Sequence, residues 1–189
     1  MVEGSRAYPT THAIIAVDPS AYASGYVIVV HDRMWAGTCE LTTIENVIAA
    51  IDIPDGIPIA LAVECETRMY RGSVHVTRVA ANLWLKALKK RFGRRLVLCG
   101  QKGAFVTPKA WRDMILCNTP AVKAASGRDE WKARAMWYAD KIGNAKGLSE
   151  DEAEAFAIAA YASVRFIQCN LDHTKPKQSN RSTKRSTKA

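Results

Sequence analysis

His12-Ala13-Ile14-Ile15-Ala16-Val17-Asp18 is a short apolar run closed by an acid and followed by Pro19 and Ser20. A run of this length bounded by turn residues reads as a buried strand. Ile59-Ala60-Leu61-Ala62-Val63-Glu64 repeats the pattern. A carboxylate beside a buried strand carries a heavy desolvation penalty unless something pairs with it. Two such acids, each at the C-terminal end of its strand, come together if the strands are parallel neighbours.

The rest of the chain builds outward from these two runs. Gly25–His31 and Met34–Leu41 follow the first at short spacing, which predicts an antiparallel meander. Thr42–Ile51 carries Ile44, Val47, Ile48 and Ile51 at helical spacing, and Asp52–Pro58 is a Pro/Gly/Asp-rich link. Val74–Phe92 is a long helix with Val76, Val79, Ala80, Leu83, Leu85 and Leu88 as its apolar stripe, ended at Gly93. Arg95–Cys99 is a fifth strand. Thr107-Pro108 reads as an N-cap with proline at N1, opening a helix to about Leu116. Arg128–Ile142 is a further helix, stopped at Gly143. Ser149 and Glu152 form a capping box for a last, alanine-rich helix, Glu150 to about Gln168. The expected architecture is α/β: a mixed five-stranded sheet flanked by helices. There is no internal repeat.

The length of 189 residues suits one domain, expected over 12–171. Residues 1–11 are expected to be a flexible N-terminus. Residues 172–189 have almost no apolar content and are expected to be a disordered basic tail. No apolar stretch reaches the ~18 residues of a membrane span, and Met1–Thr11 lacks the apolar region of a secretory signal. Cys39, Cys65, Cys99, Cys117 and Cys169 are odd in number and contain no C-x-x-C pair. They read as buried thiols in a reducing, cytoplasmic setting rather than as a disulfide framework or zinc site.

The net charge is +9, and it is unevenly spread. From Thr67 through Arg112 there are twelve Lys/Arg and no acid: Arg68, Arg71, Arg78, Lys86, Lys89, Lys90, Arg91, Arg94, Arg95, Lys102, Lys109 and Arg112. The stretch from Asp172 adds six basic residues against one acid. Such a distribution suits a polyanionic partner, with a solvated surface as the plain alternative.

Two further acids, Asp151 and Glu154, share one face of the last helix at i, i+3. The opposite stripe, Ala153, Phe156, Ala157, Ala160 and Val164, is expected to pack on the sheet and point them at the strand ends. Asp18, Glu64, Asp151 and Glu154 then form one carboxylate cluster, which needs divalent cations to coexist. Two Mg²⁺ ions in such a cluster suit phosphodiester hydrolysis. Two of the acids also have a plainer reading, and a third has a rival. Asp151 belongs in a first helical turn on dipole grounds alone, Asp18 suits a turn, and Glu66 competes with Glu64 because strand alternation puts both on one side.

These segments resemble the RuvC-type Holliday junction resolvases of the ribonuclease H-like fold, most closely their phage and viral relatives. The resemblance rests on Ala16-Val17-Asp18-Pro19 with Gly25-Tyr26, on Ala62-Val63-Glu64, and on Asp151-Glu152-Ala153-Glu154-Ala155-Phe156-Ala157-Ile158-Ala159. Val106-Thr107-Pro108-Lys109 and the helix carrying Lys132 also fit it, so that it runs from about His12 to Arg165. It implies that Asp18, Glu64, Asp151 and Glu154 hold two Mg²⁺, with Mn²⁺ able to substitute, and that Lys132 lies near the scissile phosphate. It further implies a homodimer that nicks four-way DNA junctions symmetrically, in the cytoplasm (the host's, if viral), with no organic cofactor. Two positions depart from the family pattern: Ser20 stands where glycine is usual, and Glu154 where aspartate is usual.

The DNA-facing residues expected on this reading are Arg68, Tyr70, Arg71, Arg78, Lys86, Lys89, Lys90 and Lys109. Tyr70 is read as a base-stacking group or as ordinary packing. Helix Val74–Phe92 is the expected dimer element, with Trp84 either an interface anchor or core. Two other functions stay open: a nuclease acting on RNA, flaps or forks, and a branched-DNA-binding module whose site has decayed.

Overall fold

The computed structural model describes residues 2–3, 11–65, 76–120 and 127–174. Strand β2 (Ala13–Asp18) lies at the centre of the sheet, antiparallel to β3 (Ala23–Val30) and parallel to β5 (Ile59–Glu64). Beyond β3 lies β4 (Arg33–Glu40), also antiparallel, and beyond β5 lies the parallel β6 (Leu96–Leu98). These are the five strands that the apolar runs predict, each within two residues of its expected bounds. Two short pieces extend the sheet. β1 (Val2–Glu3) pairs with β4, so part of the N-terminus expected to be flexible is a strand. β7 (Phe105–Val106) continues alongside β5 where β6 has ended, with Val106 opposite Glu64.

Helices cover both faces. α1 (Ile44–Ala50) and α2 (Val76–Phe92) pack on the side of Ala13, Ile15, Val17, Leu61 and Val63. On the side of Ile14, Ala16, Ala60 and Ala62 lie α3 (Pro108–Trp111), a π-helical turn continuing it (Arg112–Leu116), α4 (Gly127–Lys141) and α5 (Glu150–Thr174). Strand residues are buried on both faces, so the runs read as continuously apolar rather than alternating. α5 extends past Asp172, so the helix takes in the first residues of the expected tail.

Several expectations about faces are corrected. On α2 the buried stripe is Ala80, Ala81, Trp84, Leu88 and Phe92, whereas Val79 and Leu83 are 45% and 42% exposed. Both stripes have helical spacing, and the large Trp84 and Phe92 side chains take the sheet-facing one. Trp84 is therefore core, close to Tyr26 at 5.8 Å between ring centroids, and not an exposed interface anchor. Cys117 is exposed and Cys169 half-buried, so only Cys39, Cys65 and Cys99 are buried thiols. Arg91 and Arg95 are structural: Arg91 donates to the Ile51 carbonyl and Arg95 to those of Ile53, Pro54 and Ile57, closing the link before β5.

Candidate active site

The parallel register puts Val17 opposite Val63, so Asp18 and Glu64 end adjacent strands at the same level. Alternation carries both to the face covered by α5. The N-terminus of α5 is fixed by its capping box: the Ser149 N–H donates to Glu152 Oε2 at 2.7 Å and the Glu152 N–H to Ser149 Oγ at 3.4 Å. Glu152 thus does the capping, and Asp151 is left for another use. Across the sheet Asp18 pairs with Gly25, and a Cβ at Gly25 would lie 2.2 Å from the Asp151 carbonyl oxygen. Only glycine lets the first turn of α5 approach β3 so closely.

The result is a cluster in which ligand oxygens of Asp18, Asp151 and Glu154 all lie within 4.8 Å of one another. The acids lie on the sheet-facing side of α5, in line with Ala155, Ile158 and Ala162, rather than opposite the packing stripe. Glu154 is only 6% exposed, while the expected packing residue Val164 is 38% exposed. Close approach of an alanine-rich helix accounts for this, since Ala153, Ala155 and Ala157 leave no bulk to hold the acids away from the strand ends.

Glu64 stands beside the group, and its carboxylate accepts a hydrogen bond from the buried Trp111 Nε1 of α3. Burial, then the neighbouring charges of Glu64, Glu154 and Asp151, push the Asp18 carboxyl well above the usual range, with Arg112 opposing them. Burial also raises Glu154, again against Arg112. Arg112 Nη2 donates to Glu154 Oε1 at 3.1 Å, and its guanidinium lies 5.0 Å from the ring centroid of Trp111 and 5.8 Å from that of Trp131. Lys132 of α4 reaches the same place: its Nζ lies 2.7 Å from Glu150 and 3.5 Å from Asp151. The hydrogen bond to Glu150 leads the influences raising its pKa.

All five expected site residues therefore converge on one edge of the sheet. Two residues of the site were not expected there, Trp111 and Arg112. Arg112 was visible as part of the acid-free basic stretch, but nothing in the local pattern tied either residue to an acid more than forty positions away.

The expected DNA-facing residues divide. Burial pushes the Cys65 thiol up against the opposing charge of Arg78, which puts Arg78 near the residue after Glu64. Lys109 is in the first turn of α3, exposed and paired with Asp113. Lys86, Lys89 and Lys90 are exposed but lie toward the far end of α2, roughly 15–21 Å along the helix from Val76. Lys90 there meets Glu45 at 3.8 Å. They do not join the cluster. Arg68, Tyr70, Arg71 and Glu66 lie outside the described residues, as does the basic tail from Lys175. Among the described residues no helix is long and apolar enough to cross a membrane.

No protein-family model matches the chain, and none of the curated proteins does. Solved structures do. RuvC of Thermus thermophilus is similar at 10% identity over 84% of this chain and 96% of that one, with a TM-score of 0.50. RuvC of the same organism in complex with a Holliday junction substrate matches over the same shares at 11% identity and a TM-score of 0.49. The chain has a RuvC-type fold of the ribonuclease H-like class: a mixed sheet with helices on both faces and acids at the ends of two parallel central strands.

Proposed function

We propose that this protein is a metal-dependent endonuclease that nicks branched DNA, with the four-way junction as its substrate. The observation that carries this reading is the convergence of Asp18, Asp151 and Glu154 within 4.8 Å, with Glu64 beside them. Four acids brought together by two strands and a helix do not serve folding, because each raises the cost of ionising the next. Their oxygen donors fit Mg²⁺ or Mn²⁺. A pair of such ions supplies a polarised phosphate, an activated water and a stabilised leaving oxygen.

The chain's own residues then have distinct tasks. Asp18 and Glu64, on the two most central strands, fix one side of the ion site, and Asp151 and Glu154 approach from α5. Trp111 holds Glu64 in one orientation. Lys132, within reach of Asp151, supplies a positive charge for the scissile phosphate. Arg112 offsets the buried Glu154 charge. Arg78 and Lys109, at the same sheet edge, contact phosphates and give affinity that falls with salt. Two copies related by a two-fold axis match the symmetry of a four-way junction, and the exposed Val79 and Leu83 on α2 offer an apolar strip for that contact.

One observation favours a second reading. Arg112 already gives Glu154 a cation, which is how a site that has lost its metal would keep its acids together. Purified protein offered a labelled four-way junction, a linear duplex and an RNA:DNA hybrid in Mg²⁺ or Mn²⁺ separates the readings. Paired nicks on the junction alone are expected, and Asp18→Asn should abolish them while junction binding persists. Cleavage of the hybrid alone sinks the proposal, and tight junction binding without any nicking favours the binding module.

A further inference from the structure

The β2–β3 turn carries a largely exposed aromatic side chain, Tyr22. Asp18 is followed by Pro19, Ser20, Ala21 and Tyr22 before β3 begins. Ser20 holds the turn closed: its Oγ donates to the Ala23 carbonyl at 2.7 Å and accepts from the Tyr22 and Ala23 N–H groups at 3.3 and 3.2 Å. Pro19 is buried. A hydroxyl at this position thus organises the turn that glycine makes in the resembled pattern. Tyr22 sits on a hydrogen-bonded platform rather than on a loose loop.

Tyr22 is 87% exposed, the most exposed large hydrophobic side chain among the described residues; the next, Ile142, is 57% exposed. Turns of this kind favour Gly, Asn, Asp or Ser, so the fold asks for no aromatic here. An exposed ring on a hydrogen-bonded turn offers a flat apolar face to a planar partner. Its place in the fold specifies which one. The Asp18–Gly25 pair is three residues from Tyr22 along β3, roughly 10 Å at the strand rise of about 3.3 Å per residue. That distance is about three stacked nucleotides at 3.4 Å each.

We propose that Tyr22 stacks on an unstacked nucleobase of the substrate, within about three nucleotides of the phosphate held by the carboxylate cluster. This rests on the branched-DNA endonuclease reading and adds to it a source of selectivity. In a linear duplex each base face is covered by its neighbour, and a ring on the protein surface finds nothing to stack on. At a branch point the stacking is interrupted and a face is free. Tyr22 therefore contributes to binding of branched DNA and not of duplex.

The test uses full-length protein carrying Asp18→Asn, so that binding is read without cleavage. Tyr22→Ala, Tyr22→Phe and Tyr22→Leu are added in turn. The probes are a four-way junction with 2-aminopurine at single positions next to the branch, and a linear duplex of the same sequence. Tyr22→Ala is expected to weaken junction binding about 5- to 150-fold, the span of base–aromatic stacking, and to abolish a 2-aminopurine change seen with Tyr22. Tyr22→Phe should restore affinity to within about twofold, and Tyr22→Leu should not, since stacking needs a ring. Duplex affinity and melting temperature should stay unchanged in all three. The proposal is overturned if Tyr22→Ala binds the junction as tightly as its parent, as it would if the ring served a protein partner. It is also overturned if junction and duplex weaken equally, or if leucine rescues as well as phenylalanine. An otherwise wild-type chain that nicks the junction while Tyr22→Ala behaves identically removes Tyr22 alone. A chain that neither binds nor nicks it removes the endonuclease reading as well.

Discussion

Replacing Gly25 with alanine puts a methyl group into space already taken by α5. The new Cβ would lie 2.2 Å from the Asp151 carbonyl oxygen and 2.5 Å from its carbon, against 3.4 Å for ordinary contact. The atoms in the way are backbone, in the first turn of a capped helix, so no side-chain rotation relieves the clash. Either β3 or the N-terminal turn of α5 must give by about 1.2 Å, the shortfall between those two distances. Because Gly25 pairs directly with Asp18, that displacement opens the gap between Asp18 on the strand and Asp151 and Glu154 on the helix. Overpacking of this kind costs about 1–3 kcal/mol, which lowers Tm by roughly 2–12 °C for a chain of this size. Misplacing a reacting group by about 1 Å costs on the order of 100-fold in rate. Gly25→Ala should therefore remain folded at 25 °C, with a native circular dichroism spectrum, and nick a four-way junction about two orders of magnitude more slowly. A Gly25→Ala protein that melts and nicks like the wild type would refute the claim that this contact sets the site.

Three further outcomes follow from the same geometry. Burial and mutual repulsion hold Asp18 and Glu154 above their ordinary values; a carboxyl raised on folding contributes stability below its unfolded pKa, and that contribution is lost as pH rises through the folded one. In EDTA, Asp18→Asn should match the wild type in Tm near pH 4 and exceed it at neutral pH by a few degrees, or about 1–2 kcal/mol; a difference that shrinks with rising pH contradicts the sign. Trp111→Phe keeps a buried ring but removes the donor to Glu64, a charge-assisted bond of about 1.5–3 kcal/mol, so nicking should slow roughly 10- to 100-fold and Tm should fall by several degrees, and an unaltered rate in the folded protein would dissociate Trp111 from the site. His12 is buried and stacked on Phe166 at 3.9 Å, and burial lowers its pKa. Its contribution to stability is present above the unfolded value of about 6.5 and lost as pH falls through the folded one. His12→Phe should flatten the loss of urea resistance between pH 7.5 and pH 5, and an unchanged slope would exclude His12 as its source.

Much of the fold was legible because its strands are short apolar runs with turn residues on both sides. Asp18 and Glu64 stood out for the same reason: an acid that closes a buried run has to be explained. Periodicity served less well where two stripes competed. On α2, Val79 and Leu83 have the same spacing as Ala80, Trp84 and Leu88, and only the volume of Trp84 against the sheet decides which set is buried. On α5 the expected stripe is buried at Ala153 and Ala157 with Phe156 packed against the core, but the acidic face is brought in as well, because Gly25 lets it approach the sheet. Basic residues were hardest to place, because a guanidinium carries the same local signal whether it meets a phosphate, as proposed for Arg78, or main-chain carbonyls, as Arg95 does. Trp111 and Arg112 could be joined to Glu64 and Glu154 only once β7 had brought α3 beside β5.

Glu150, Asp151 and Glu152 are chemically near-equivalent neighbours, yet their surroundings differ: Glu150 holds Lys132, Asp151 joins the carboxylate cluster while also facing Lys132 at 3.5 Å, and Glu152 closes the helix cap. A substitution scan through this one turn would thus read out three distinguishable phenotypes. Loss at Glu152 should appear as fraying of the helix, loss at Glu150 as a change in the reach of Lys132, and loss at Asp151 as failed metal retention in an otherwise intact protein. Adjacent codons for similar acids would be under separate selection. Drift between aspartate and glutamate is confined at all three by the geometry of what each holds, and most loosely at the exposed Glu150.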